Sequence, residues 1–95
     1  MDNQKYIFRG DRSGVFYGEI ASRNGQEVEI RNCRRLWKWS GAASLSQLAL
    51  EGVKRPANCQ FTVTVPSLTI PDLIEFIPCS EAACASIDGV AVWKI

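Results

Sequence analysis

The sequence predicts an α+β fold, in which a mostly antiparallel sheet, strongly curved towards a barrel, carries two short helices. Segments rich in β-branched and aromatic residues alternate with turn residues along most of the chain, which is typical of strands joined by short loops. Two short apolar segments instead begin with serines of the helix-capping type. Because a chain of 95 residues buries too little surface for two cores, we expect residues 1–95 to form a single domain.

The N-terminal half is predicted to consist of strands. A glycine-bounded loop separates the first two, and Asn24-Gly25 predicts a hairpin with a type I′ turn between the second and third. Strict alternation of polar and apolar residues in the third strand indicates a sheet with one solvent-exposed face and one buried face. In the fourth, a period of two places Arg35, Trp37 and Trp39 on one face. The predicted strands are residues 5–9, 15–22, 27–31 and 34–39.

The C-terminal half is predicted to mix helices and strands. Ser44 and Gln47 form a capping box for the first helix, and Ser80 caps the second. Pro66 and Pro71 cannot lie in the middle of a ladder, so the segment between them is expected at a sheet edge or in an extended crossing. The predicted helices are residues 44–50 and 81–87, and the predicted strands are residues 60–65, 72–77 and 90–95.

The composition excludes several classes of chemistry. The chain contains no histidine, which excludes Ser-His-Asp and Cys-His nucleophilic sites and histidine-ligated zinc. No spacing marks two carboxylates as an acid pair, so we expect no enzyme activity, no catalytic residues, no metal and no cofactor. A net charge of +1 gives little attraction to nucleic acid, and no apolar stretch of about 18 residues is present to enter a membrane.

Four cysteines, at positions 33, 59, 79 and 84, do not have the paired spacing of a zinc site. The first residues contain no apolar run of the signal-peptide type, so we expect a cytoplasmic location with free thiols. The cysteines are interpreted as small buried hydrophobic residues. A second interpretation is that Cys79 and Cys84 lie near each other at a helix start, where the helix dipole would lower a thiol pKa.

The most unusual segment runs from Arg31 to Ser44, where four cations and two tryptophans precede a helix start. Guanidinium groups bind phosphate through two parallel hydrogen bonds, indoles stack on bases, and a helix start offers free N–H groups. These features predict a site for a nucleotide-sized anion. The competing interpretation is structural: tryptophans two apart on a strand lie in the core and arginines cover them. The predicted ligand-binding residues are Arg34, Arg35, Trp37, Trp39 and Ser44, with Arg9 and Arg12 as further anion contacts.

A second candidate, the loop Gly10-Asp11-Arg12-Ser13-Gly14, has the composition of a phosphate-binding loop. It matches neither of the two glycine-rich phosphate motifs, however. The loop is therefore interpreted as a simple connection between two strands.

Residues 32–45, Asn-Cys-Arg-Arg-Leu-Trp-Lys-Trp-Ser-Gly-Ala-Ala-Ser-Leu, resemble the core motif of a family of small proteins encoded by tailed phages and prophages. Matching elements are Ser-Gly-Val at 13–15, Ser-Arg-Asn-Gly at 22–25 and Ile-Pro-Cys-Ser-Glu-Ala at 77–82. Cys33 stands where this family is expected to have alanine, which speaks against a required thiol there. The resemblance implies a phage protein that acts in the cytoplasm of an infected bacterium, and it implies no activity.

In that setting we expect a non-enzymatic, homo-oligomeric protein that sequesters a host nucleotide immune signal of the cyclic nucleotide or cyclic ADP-ribose type. Such capture needs only stacking and arginine–phosphate pairing, and an interface between subunits can supply pocket walls. The alternatives are a protein-binding inhibitor of a host defence complex, which would use an exposed edge strand and aromatic residues, and a phage structural or accessory protein without a small ligand. Nucleic-acid binding is disfavoured by the low net charge.

Overall fold

The computed structural model describes residues 4–95, and it confirms the α+β class. Five strands form one antiparallel sheet in the order β4-β3-β2-β1-β5. A 3-10 helix at Pro56–Asn58 precedes β4. The strands are β1 (Tyr6–Gly10), β2 (Val15–Asn24), β3 (Glu27–Lys38), β4 (Gln60–Ile70) and β5 (Leu73–Pro78), and the helices are α1 (Leu45–Glu51) and α2 (Glu81–Asp88).

The sheet is open, and its predicted barrel-like curvature is not confirmed. Among the strands of the described residues, β4 pairs only with β3 and β5 only with β1, so these two strands are the edges. Register shifts interrupt the β2–β3 and β3–β4 ladders, and bulges of this kind bend and twist strands without closing a sheet. Pro66 lies within the edge strand β4, which is one of the two placements predicted for its segment, because proline has no N–H to donate to a ladder.

Both faces of the sheet are apolar, because consecutive side chains of a strand point to opposite sides. Ile7 and Tyr17 face α1 and α2, where they join Leu48, Phe61, Ile87 and others in a cluster that we call the helix-side core. Their neighbours Phe8 and Phe16 face the other way, into a second cluster. This open-face core consists of Phe8, Phe16, Val28, Ile30, Cys33, Ile70 and Leu73.

The hairpin between β2 and β3 forms one residue later than predicted. Asn24 pairs with Glu27, so the two turn residues are Gly25 and Gln26, and only Gly25 has positive φ (63°). A positive φ confined to the first turn residue is the type II′ pattern, so the predicted type I′ turn is wrong. Asn24 ends the strand and stays in the ladder.

Both helix starts are confirmed by their caps. Ser44 Oγ accepts a hydrogen bond from the backbone N–H of Gln47 (3.1 Å), and Ser80 Oγ accepts one from Ala83 (3.0 Å). The side chain of Gln47 reaches back to the N–H of Ala43 (2.7 Å), one residue before the usual capping-box partner.

The predicted strand at residues 90–95 is wrong, since this segment makes only one bridge, from Val92 to Phe61. The N–H of Val90 donates to Ile87 O (3.2 Å) at the end of α2. The residues after Val90 form their bridge with the edge strand β4 at Phe61. Trp93 N–H donates to Phe61 O (2.8 Å) at that point.

Candidate functional site

Arg34, a predicted ligand-binding residue, is instead a structural residue on the helix side of β3. It is 5% exposed, and its guanidinium donates to the carbonyls of Thr62 (2.8 Å), Ile87 (2.9 Å) and Val90 (2.7 Å). Two of these carbonyls lie at or just beyond the end of α2, where the helix dipole is negative and C=O groups lack helical partners. Burial lowers the pKa of Arg34, and the charge of Asp88 opposes this. Arg34 therefore joins α2 to the sheet and has little donor capacity left for a ligand.

Arg35 lies on the opposite face of β3, half-buried above the open-face core. Its guanidinium is 4.5 Å from the centre of the Phe16 ring, and Nη1 donates to the carbonyl of Ser13 (2.7 Å). The two adjacent arginines thus point away from each other, as alternation in a strand requires, and the structure does not bring them into one anion site.

The two predicted tryptophans also separate. Trp37 is 65% exposed on β3, whereas Trp39 follows the end of that strand and packs half-buried against the helix-side core. Trp39 was expected to share a face with Arg35 and Trp37. It does not, because side chains alternate with a period of two only within a strand, and β3 ends before Trp39.

The remaining predicted contacts are distributed over the surface. Arg9 forms an exposed ion pair with Glu75 (3.3 Å), and Arg12 is exposed in the loop after β1. Ser44 uses its hydroxyl to cap α1. The seven predicted residues therefore do not form one cavity.

The loop at residues 10–14 already holds an anion, the carboxylate of Asp72. Asp72 Oδ2 accepts from the backbone N–H groups of Arg12 (2.8 Å) and Ser13 (3.1 Å), and Oδ1 accepts from the Ser13 hydroxyl. The donors that suggested a phosphate-binding loop are therefore used by Asp72, which precedes β5. These hydrogen bonds join the loop between β1 and β2 to the start of β5 at one end of the sheet.

These contacts predict an acid-sensitive junction. The Ser13 hydroxyl, and then the Arg12 N–H, lower the pKa of Asp72 below its usual value. A lowered folded-state pKa contributes stability at pH values above the unfolded value of about 4, and this contribution is lost as the pH falls through the folded pKa. We expect Asp72→Asn to reduce this loss of stability, which is measured as the fall of the urea midpoint between about pH 7 and pH 2 and which we call the acid limb.

Ser13→Ala serves as the matched variant, because it removes only one of the three donors. Its acid limb should lie at higher pH than that of the wild type and still be steeper than that of Asp72→Asn. Identical acid limbs in all three proteins would contradict this role of Asp72.

A groove of about 440 Å³ lies elsewhere, at the end of β3. The ammonium of Lys38 and the indole of Trp93, which is 47% exposed, are its charged and aromatic components. None of the ion pairs among residues 4–95 involves Lys38. The groove is lined by Lys38, Ser40, Ala57, Asn58, Cys59, Gln60 and Trp93.

Sequence reasoning missed most of this groove. Lys38 was among the cations of the unusual segment, but Asn58 and Trp93 lie 20 and 55 positions further along the chain. Trp93 was assigned to a predicted strand, whereas it reaches the groove because the C-terminal segment touches β4 only at Phe61. In the sequence, the one sign of this groove was Trp93, which stands beside Lys94 in the last residues.

Trp93 also lines an apolar hollow of about 250 Å³, together with Lys94 and Ile95. A third cavity, of about 200 Å³, contains Glu27 and Glu29 and therefore repels anions. Among residues 4–95, no three cysteine, aspartate or glutamate side chains are grouped to hold a metal ion. Nor does any helix in that range have the length and apolar character needed to cross a membrane.

All four cysteines are free thiols, and Cys33, Cys59 and Cys79 are buried as predicted. The second interpretation, a thiol with a lowered pKa, is wrong for Cys79. Burial raises the pKa of Cys79 to about 12, because the apolar helix-side core disfavours a thiolate.

Comparisons with known proteins give one match. No curated protein matches the chain, and no solved structure does. The match is to the profile of a family described as a domain of unknown function, DUF6948, and it covers residues 3–87. Since the matched residues include all five strands and nearly all of α2, the chain belongs to the DUF6948 family.

Proposed function

We propose that this protein is a non-catalytic binder that captures a nucleotide-type ligand in the groove formed by Lys38 and Trp93. The observation that carries the proposal is the combination, in one open groove, of an exposed indole and a cation. Stacking on an indole is available to every base, and an ammonium binds phosphate as a point charge.

The polar lining fits the same ligand. Asn58 and Gln60 offer amide donors and acceptors, and Ser40 offers a hydroxyl, so that base edges and ribose hydroxyls can be hydrogen-bonded. The volume of about 440 Å³ lies within the range of small-molecule sites. Of the cavities described above, this one combines polar groups with positive charge.

One lysine per groove neutralises one phosphate. A cyclic nucleotide with two or three phosphates would be held better by grooves of several copies, and we therefore include a homo-oligomer in the proposal. The resemblance to phage proteins supplies the biological role: the captured ligand is a nucleotide signal of host defence, sequestered in the bacterial cytoplasm.

The proposal predicts that the wild-type protein binds at least one ligand among cyclic di- and trinucleotides and cyclic ADP-ribose isomers, as measured by isothermal titration calorimetry. We expect Trp93→Ala to weaken that binding about 5-fold to 150-fold, because each base–aromatic stack contributes about 1–3 kcal/mol. We expect Lys38→Met to weaken it as well and to remove most of its salt dependence.

Trp37→Ala is the matched control, since it deletes an equally large and more exposed indole that does not line the groove. It should bind like the wild type. Absence of heat for every ligand at about 50 μM, or equal losses in Trp37→Ala and Trp93→Ala, would refute the groove as the capture site.

One observation favours a second candidate function, binding of a host protein. β4 is an open edge strand, and Val63 on β4 and Trp37 on the neighbouring strand are exposed. Strand addition at such an edge uses backbone hydrogen bonds and nearby aromatic anchors. A stoichiometric complex that is lost in Trp37→Glu and retained in Trp93→Ala would support this function over ligand capture.

A further inference from the structure

Cys79 and Cys84 occupy paired positions at the start of α2. Ser80 is the N-cap, so Cys79 is the residue before the cap and Cys84 is the fourth residue of the helix. Side chains at these two positions meet in the hydrophobic staple, which fixes the angle at which a chain enters a helix. The spacing of five residues therefore brings two thiols together at the junction of β5 and α2.

The packing agrees with this geometry. Cys79 is part of the helix-side core and Cys84 packs against that core half-buried. The nearby Cys84 thiol adds to the effect of burial in raising the pKa of Cys79. The other two cysteines lie elsewhere, because Cys33 belongs to the open-face core and Cys59 lines the groove.

The junction is also held firmly by backbone groups. Cys79 N–H donates to Lys5 O (2.8 Å), and Cys84 N–H donates to Ser80 O (2.9 Å). Ser80 N–H donates to Ala49 O (2.9 Å), and its hydroxyl donates to Leu50 O (2.6 Å). The backbone that carries the two cysteines is therefore held in place on both sides of Ser80.

We propose that Cys79 and Cys84 form an oxidation-sensitive pair that closes to an intramolecular disulfide when the protein meets a peroxide. Half-buried Cys84 is the thiol that solvent reaches, so it reacts first. Its sulfur attacks the O–O bond of hydrogen peroxide, gives a sulfenic acid and releases one water. The Cys79 sulfur then attacks the sulfenic sulfur, forms the S–S bond and releases a second water. The two thiol hydrogens leave in those waters, and peroxide is the electron acceptor.

The raised pKa of Cys79 fits its assignment as the second thiol, since a thiol that burial keeps protonated reacts slowly with peroxide itself. The new bond would fasten the end of β5 to the first turn of α2. Because α2 leads directly into the segment that carries Trp93, the disulfide would also restrict one wall of the groove.

The experiment compares native protein before and after treatment with hydrogen peroxide. Thiol titration in denaturant should fall from four thiols to two. Digestion without reductant, using a protease that cleaves after glutamate, should cut after Glu75 and Glu81 and so separate the two cysteines. The fragments carrying Cys79 and Cys84 should then appear as one linked species, two hydrogens lighter than their sum, which dithiothreitol resolves. The oxidised protein should melt roughly 4 °C higher or more.

Cys84→Ser is the control that removes the reacting thiol, and it should keep three thiols under the same treatment. The double variant Cys33→Ala, Cys59→Ala should still form the linked species. A disulfide that involves Cys33 or Cys59, a dimer linked through Cys84, or sulfinic acid at Cys84 with Cys79 unmodified would each overturn the proposal. Ligand capture is tested separately, by calorimetry with the reduced wild-type protein.

Discussion

Replacement of Arg34 by methionine is expected to lower the free energy of unfolding by about 3 kcal/mol, measured by urea denaturation. Methionine preserves much of the aliphatic bulk but donates no hydrogen bond. The carbonyls of Thr62, Ile87 and Val90 would lose their guanidinium donors, and the contacts with Ile87 and Val90 are buried. Each buried acceptor left unpaired costs about 1–3 kcal/mol, and the desolvation free energy recovered by removing the charge offsets part of the sum over the three acceptors.

Two variants separate geometry from charge. Arg34→Lys keeps the charge, but an ammonium cannot reproduce the planar fork that reaches Thr62 and the end of α2 together, so it should recover less than half of the loss. Arg31→Ala removes a neighbouring exposed arginine of the same strand and should change stability by no more than about 0.5 kcal/mol. A stable Arg34→Met protein with the wild-type urea midpoint would show that these hydrogen bonds do not hold α2.

Gly41→Ala is expected to destabilise the protein by a similar amount, about 3 kcal/mol, for a different reason. Gly41 has a φ of 94°, which strains any residue with a side chain. A Cβ at this position would also overlap the backbone nitrogen of Lys54 and lie 2.8 Å from Lys54 Cα. Backbone cannot yield as a flexible side chain can, so the turn before α1 and the segment after it would have to move apart.

The matched control is Gly25→Ala in the β2–β3 hairpin. Gly25 also has positive φ (63°), but nothing lies within 4 Å of the position its Cβ would take. This variant therefore measures backbone strain alone, which costs about 1 kcal/mol. Equal losses in the two variants, from thermal or urea unfolding, would show that the close approach to Lys54 has no energetic consequence.

The same substitution bears on the proposed groove. Ser40, next to Gly41, lines the groove, and its carbonyl accepts from Arg55 N–H (3.3 Å). If the turn moves away from Lys54, this wall moves with it. Gly41→Ala should therefore weaken ligand capture at temperatures where the protein is still folded, whereas Gly25→Ala should leave capture unchanged.

Features that depend on neighbouring residues were predictable. Ser44 and Ser80 cap their helices because a serine hydroxyl reaches an N–H three residues ahead whatever surrounds it. Pro66 lies on an edge strand because its missing N–H is a local property. The hairpin between β2 and β3 was predicted, but its turn lies one residue later and is of another type, because Asn24 stays in the ladder as a strand residue.

For the candidate site, the sequence predicted the kinds of residue involved but not which of them come together. Alternation along β3 placed Arg34 and Arg35 on opposite faces, but it could not show which face the helices cover. The carbonyls that bind Arg34 come from residues 28, 53 and 56 positions away. Lys38 and Trp93 are brought together in the same way, through the meeting of the C-terminal segment with β4.

By itself, the sequence determined the fold class, the two capped helices, the edge position of β4 and the absence of histidine chemistry, because each depends on residue type or on spacing of a few residues. Tertiary structure decided which cations are free to bind a ligand. A guanidinium binds whichever acceptors surround it, and at Arg34 those are the carbonyls at the end of α2. Lys38, four residues later at the end of the strand, is exposed beside Trp93 instead.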